Sequence, residues 1–219
     1  MKSATYDDWR KRWPAVIVQH QDEASARLLT DYYAETSGVP KYSGSQFEAV
    51  AALNSDPNSI GPADIVAIST LSVNVKGQAA IRLLTRDAAD ISERLELIPT
   101  DVDIVDADPG SLESGSAASE LWQILRRGRD KIGPTTASKL IAAKRPRLLP
   151  IWDSLVEQAT GLSTLGYWRS FQDVLTSDDH AIWKWLTDLR KEVPEVPDSV
   201  SNLRVLDILL WMSVKKGLR

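Results

Sequence analysis

Cysteine is absent from the 219-residue sequence, and His20 and His180 are its two histidines. Without cysteine there can be no disulfide, iron–sulfur cluster, thiolate zinc site or cysteine nucleophile. The two histidines are far apart and neither lies in a recognisable motif, which disfavours a histidine metal site and a serine–histidine hydrolase. We therefore expect neither a metal nor a cofactor.

Long apolar runs are also missing. The stretch "ILLWM" at 208–212 is among the longest, whereas a membrane-spanning helix needs roughly 20 apolar residues. The start of the sequence lacks the apolar core of a signal peptide. These absences predict a cytoplasmic protein that makes no membrane contact.

Helical spacing of apolar residues is the main pattern that the sequence does contain. It recurs in the stretches 22–35, 43–54, 61–73, 77–98 and 202–214. Two short alternating stretches, 15–19 and 101–106, are candidate strands. The predicted fold is all-α, or mainly α, a helical bundle with at most a minor β element.

A change of composition suggests how the chain is divided. Residues 106–119 are rich in glycine, serine and aspartate and read as a linker. They would separate an N-terminal helical half, residues 1–105, from a C-terminal half, residues 120–219. One continuous domain is the alternative.

Charge is distributed unevenly around this linker. Residues 87–119 carry nine acids and one base, while residues 120–150 carry eight bases and two acids, in a chain with a net charge of −4. Two explanations remain open: the segments match each other electrostatically, or the basic one provides a face for an anionic partner.

The basic segment reads as a helix over about 119–127, a bend over 128–133 and a helix over about 134–144. Gly133 and Pro134 begin the second helix, so the amides of Thr135 and Thr136 lack intrahelical acceptors. Such a helix start is suited to a phosphate. Lys139 lies on the same face one turn later. A further group of cations follows, and the candidate nucleic-acid-binding residues are Lys131, Gly133, Thr135, Thr136, Lys139, Lys144, Arg145 and Arg147.

Residues 120–160 resemble the helix-hairpin-helix of the DNA glycosylases that include the endonuclease III-like and adenine-mismatch enzymes. Ile132, Gly133 and Ala137 match the hairpin pattern, while Lys131 stands where its first glycine is expected. The resemblance implies a DNA-binding helical hairpin. It also implies a catalytic carboxylate at Asp153, which follows a proline at the matching distance. Thr135 stands where bifunctional members carry a lysine nucleophile, so their lyase chemistry is not implied.

Asp153 also has a simpler interpretation. It precedes the stretch "SLVEQAT" and could cap a helix there. In the catalytic interpretation, its carboxylate would stabilise an oxocarbenium-like transition state or activate water beside a flipped base.

The leading hypothesis is nucleic-acid binding, most simply of DNA, through the helix-hairpin-helix, with a glycosylase-like or degenerate site at Asp153. One alternative is a helical interaction or regulatory protein with a structural hairpin, acting on a protein partner or by self-association. Another is a monofunctional DNA glycosylase. The stretches "ASKLIAAKRPRLLPIWD" and "LRVLDILLWM" also resemble an uncharacterised bacterial domain family, which brings no activity with it.

Overall fold

The computed structural model describes residues 9–218. Within this range the chain is mainly α-helical, which confirms the predicted fold class. The helices, in chain order, are α1 (Trp9–Arg12), α2 (Ala15–Val18), α3 (Asp22–Tyr33), α4 (Phe47–Ala51), α5 (Pro62–Thr70), α6 (Gly77–Ile81), α7 (Ala88–Glu96), α8 (Ala117–Arg126), α9 (Pro134–Lys144), α10 (Ser154–Thr160), α11 (Tyr167–Glu192) and α12 (Asn202–Lys215).

The β structure is a two-stranded antiparallel hairpin of β1 (Glu35–Thr36) and β2 (Val39–Pro40). Ser37 and Gly38 form the turn between the strands, and both have positive φ, 53° and 75°. A two-residue hairpin turn of type I′ requires positive φ at both of its central residues. The strands predicted at 15–19 and 101–106 are wrong. The first stretch begins directly after Pro14 as helix α2, where Ile17 is fully buried, and the second forms turns.

Two compact units divide the described residues: 9–41 with 153–218, and 42–152. This boundary does not coincide with the predicted linker. Residues 106–119 lie inside the second unit, where they include a short 3₁₀ helix, Pro109–Leu112, and the start of α8. Leu112 and Ala118 are buried there. These two apolar side chains pack the segment against the core, although its composition is typical of a linker.

In the first unit, α12 packs against α3, α10 and α11. Its sequence is apolar around most of its circumference, and Leu206, Ile208 and Leu209 are fully buried. Aromatic side chains extend this core, because the Trp13 and Phe171 rings lie 5.3 Å apart. Helix α12 is therefore the central helix of this unit.

In the second unit, α9 packs against α4, α5 and α8, and α7 packs against α8. The residues of α9 from Thr136 to Ala142 are all buried, so this helix has little solvent-facing surface after its first turn. The predicted helix, bend and helix over 119–144 are observed as α8, residues 127–133 and α9.

Candidate nucleic-acid interface

Helix α9 begins as the sequence predicts. Gly133 is its N-cap residue in extended conformation, and Pro134 is its first helical residue. The Ala137 amide donates the first helical hydrogen bond to the Gly133 carbonyl, at 3.0 Å. The amides of Thr135 and Thr136 come before this first bond and therefore have no acceptor within the helix. A Cβ atom built on Gly133 would meet no atom within 4 Å, so the space beside the helix start is open.

Lys131 has a left-handed backbone conformation, with φ of 72°, and its side chain is exposed. This is the position at which the glycosylase-like hairpin is expected to carry glycine. The backbone thus adopts the conformation that glycine favours, although a lysine occupies it. A non-glycine residue in this conformation costs about 1 kcal/mol.

The bend before α9 is fastened by Arg82, which sequence reasoning did not single out. Arg82 is buried at the start of a π-helical turn, Arg82–Arg86, and pairs with Asp130 and with Asp87. It also donates to the carbonyls of Ile124 and Leu125 at the end of α8. One guanidinium therefore holds the end of α8 and the bend together.

The same hydrogen-bond network leaves no room for a side chain at Gly128, and it lowers the pKa values of two acidic side chains. A Cβ atom on Gly128 would lie 2.5 Å from Arg82 Nε, so a larger residue would push the Arg82–Asp130 pair apart. The hydrogen bond from Arg82 holds the pKa of Asp130 below its usual value. Burial alone would raise the pKa of Asp87, but hydrogen bonds from Arg127 and Arg82 lower it. Both carboxylates therefore stay ionised and keep the bend in place.

Three of the predicted binding cations point into the fold. Lys139 is buried and donates to the Leu71 carbonyl at 2.9 Å. Lys144 is buried against Asp64, with an Nζ–Oδ1 distance of 3.2 Å. Arg145 is 1% exposed. The structure thus uses these charges internally, which leaves them almost no surface for a phosphate.

Arg145 lies among backbone carbonyls. It donates to the carbonyl of Leu95, in the last turn of α7, to that of Ile98, which follows α7, and to the carbonyl of Pro57. Burial lowers the pKa of Arg145 to about 10, which still leaves it protonated at neutral pH. Its charge stabilises the carbonyl end of a helix whose own dipole is negative there.

Other ion pairs connect the acidic and basic segments. Arg147 forms two hydrogen bonds of 2.9 Å with the Asp103 carboxylate. Arg127 contacts Asp87 and Asp90, at 2.9 and 2.6 Å. The first of the two explanations of the uneven charge, an electrostatic match between the segments, therefore describes Arg127 and Arg147, two of the eight bases of the basic segment.

Four cations around the bend are exposed: Arg126, the ion-paired Arg127, Arg129 and Lys131. Within residues 9–218, Arg129 and Lys131 have no ion-pair partner. The guanidinium carbon of Arg126 lies 5.3 Å from the centroid of the Trp122 ring. Among the predicted binding residues, Lys131, Gly133 and Thr135 therefore retain accessible surface at the bend, while Thr136 is buried.

Asp153 caps helix α10. Its Oδ1 atom accepts hydrogen bonds from the amides of Leu155 and Val156, each at 3.0 Å, and the residue is 8% exposed. The capping interpretation accounts for these contacts. A catalytic role for Asp153 stays a prediction.

We expect Asp153→Ala to lower the free energy of unfolding by about 1 kcal/mol, because two helix-end amides lose their acceptor. Asp153→Asn should stay within about 0.5 kcal/mol of the parent, since asparagine caps as well as aspartate. Urea unfolding followed by circular dichroism measures both. Equal losses in the two variants would contradict the capping role. The Asn variant is also the one to assay for base release from damaged DNA, because it removes the carboxylate charge while keeping the cap.

Across residues 9–218, no group of three or more histidine, aspartate or glutamate side chains is arranged to hold a metal ion. In the same range, no helix has the length and apolar character needed to cross a membrane.

A family model described as "Family of unknown function (DUF6308)" matches residues 25–214. This match confirms the predicted resemblance to an uncharacterised domain family. No curated protein and no solved structure matches the chain.

Proposed function

Since the chain belongs to DUF6308, whose description names no activity, its function has to be inferred from its own residues, and we propose that it binds the anionic backbone of nucleic acid. The contact surface is the end of α8 and the first part of the bend, residues 126–131, together with the open start of α9. The observation that carries this proposal is that residues 126–131 hold four exposed cations, three of which, Arg126, Arg129 and Lys131, have no ion-pair partner within residues 9–218.

Two features of the bend support a ligand-binding role. A lysine occupies a left-handed position where glycine would be less strained, and its charge has no ion-pair partner within residues 9–218. Strained residues of this kind cluster at functional sites. Arg82 also holds the bend in place through its ion pair with Asp130, so the exposed cations of the bend project from an ordered backbone.

The proposed binding is weak and depends steeply on salt. Three phosphate contacts on a DNA duplex give a slope of about −2.7 in a plot of log binding constant against log salt concentration. The buried cations Lys139, Lys144 and Arg145 add nothing to this slope, because their charges are used inside the fold.

A salt titration with a labelled duplex tests the proposal. The variant Arg129→Ala/Lys131→Asn removes two charges and keeps a residue that tolerates the left-handed conformation. We expect its slope to fall to about −0.9 and its affinity at low salt to fall by about tenfold or more.

The matched control is Lys76→Asn/Arg27→Ala, which removes two exposed charges outside residues 126–131 and outside the Arg82 network. It should bind like the parent protein. If both double variants lose affinity equally, net charge rather than the bend governs binding. If the parent shows no binding at low salt, the proposal is overturned.

A second candidate function is a helical interaction or regulatory protein in which the α8–α9 hairpin is structural. The burial of Lys139, Lys144 and Arg145 favours it, because these cations stabilise the second unit itself. Absence of nucleic-acid binding, with self-association seen by size-exclusion chromatography and light scattering, would support this candidate.

A further inference from the structure

Trp122 is the one aromatic residue among the 104 residues from Glu48 to Ile151. The apolar core of this stretch is built from aliphatic side chains, such as Leu121 and Leu125 on the same helix, which are buried. Trp122 itself is half-buried, although a large apolar ring gains most from full burial. This half-burial leaves part of the Trp122 ring accessible at the surface of α8.

The surroundings of Trp122 match those of a stacking site. Arg126 lies one turn further along α8 with its guanidinium carbon 5.3 Å from the Trp122 ring centroid, and the bend follows directly. An aromatic ring, a planar guanidinium, the ion-paired Arg127 and two further cations thus lie within residues 122–131. Proteins that bind single strands combine stacking side chains with cations that follow the backbone in this way.

The relative sizes of the electrostatic and base-stacking contributions indicate whether a single strand or a duplex fits this site better. Three phosphate contacts give a small electrostatic contribution in a protein with a net charge of −4. Stacking of one base on an aromatic side chain adds about 1–3 kcal/mol. A duplex cannot provide this contribution along its length, because its base faces are covered by neighbouring base pairs.

Resting on the proposed function, we propose that Trp122 and Arg126 form a stacking platform for an unpaired base, so that the bend prefers single-stranded nucleic acid to duplex. On a single strand, Arg126 stacks on the base and does not contact a phosphate, so the backbone phosphates contact Arg129 and Lys131, and the base stacks beside them on the indole and guanidinium planes. The preference comes from base stacking, so it tolerates any sequence.

The first experiment leaves the protein unchanged. Fluorescence anisotropy compares a labelled thymidine oligomer, an oligomer of the same length made of abasic spacers, and a duplex. The abasic oligomer keeps the phosphates and lacks the bases. We expect the thymidine oligomer to bind about tenfold or more tightly than the abasic one. Equal affinities for these two oligomers would overturn the stacking platform.

Variants then locate the platform. Trp122→Leu should lower affinity for the thymidine oligomer by about tenfold and leave the abasic oligomer and the duplex unchanged, while Trp122→Phe retains most of the binding. Trp183→Leu, at a half-buried tryptophan of the first unit, is the matched control and should bind like the parent. Thermal melts establish that each variant is folded. If Trp122→Leu lowers binding to all three ligands equally, the platform is overturned.

The failure of this inference is distinguishable from failure of the proposed function. Arg129→Ala/Lys131→Asn should weaken binding of all three ligands, including the abasic oligomer. If that loss is seen while the thymidine and abasic oligomers bind equally, backbone binding stands and the stacking platform does not. If none of the three ligands binds at low salt, both proposals fail.

Discussion

Replacing Arg145 with methionine is expected to lower the free energy of unfolding by about 4 kcal/mol. The side chain is 1% exposed and donates hydrogen bonds to the carbonyls of Pro57, Leu95 and Ile98. Methionine fills much of the volume but donates no hydrogen bond. A buried acceptor left without a donor costs about 1–3 kcal/mol, and loss of the buried charge offsets part of the sum. A domain of this size is stable by roughly 5–15 kcal/mol, so the loss is a large share of the total.

Arg145→Lys gives a graded test. Lysine keeps the charge, but one ammonium group cannot reproduce the spread of donors that the planar guanidinium provides. We expect a loss of about half that of the methionine variant, which keeps the experiment informative even if Arg145→Met does not fold.

Arg147→Met is the matched control for Arg145. It makes the same substitution two residues away, at an arginine whose side chain is 46% exposed and pairs with Asp103. An exposed pair of this kind contributes about 1 kcal/mol or less. Urea unfolding monitored by circular dichroism compares the variants. If Arg145→Met is no more destabilising than Arg147→Met, the structural role assigned to Arg145 is wrong.

Local features of the chain, such as helix starts and caps, were predicted from sequence more successfully than the burial and the partners of its charged side chains. The helix start at Gly133 and Pro134 depends on backbone preferences of neighbouring residues, and those are visible in the sequence. The cap at Asp153 is local in the same way. Helical spacing of apolar residues likewise identified most of the longer helices.

The burial of Lys144 and Arg145 depends on partner residues that lie far away along the chain. Lys144 pairs with Asp64, 80 residues earlier, and Arg145 reaches Pro57, 88 residues earlier. A cluster of lysine and arginine at a helix end is usually solvent-exposed, so the sequence favours a surface interpretation. The apolar residues Leu140, Ile141, Leu148 and Leu149 around the cluster are a signal for burial, because charges flanked by buried residues need partners inside the fold.

The strands predicted at 15–19 and 101–106 failed for a related reason. Alternation over five or six residues is too short to distinguish a strand from one buried helical turn. Pro14 precedes the first stretch and its residues form α2. In the second stretch, the Ile104 amide donates to the Arg147 carbonyl, an isolated contact with a segment 43 residues further along the chain.

Breaking the buried pair of Lys144 and Asp64 is the second large effect that we expect. Their side chains are 3% and 0% exposed, so removal of one partner leaves the other charge in a dry environment. The Asp64 carboxylate also accepts from Asn54 Nδ2 at 2.6 Å and from the Gly61 amide at 2.8 Å, which moderates but does not replace the loss. Lys144→Met should therefore lower the free energy of unfolding by about 3–5 kcal/mol.

A double-mutant cycle separates the pair from the loss of packing. Asp64→Asn keeps the acceptor for Asn54 and Gly61 while removing the charge, and Asp64→Asn/Lys144→Met should be more stable than the sum of the single losses by about 2 kcal/mol. Glu120→Gln/Arg94→Met provides the control cycle at a more exposed pair of the same unit, where the coupling should stay below about 1 kcal/mol. Equal coupling in the two cycles would mean that burial adds nothing to the Lys144–Asp64 pair. A coupling of about 2 kcal/mol would show that Lys144, in the basic segment, stabilises the second unit through its pair with Asp64.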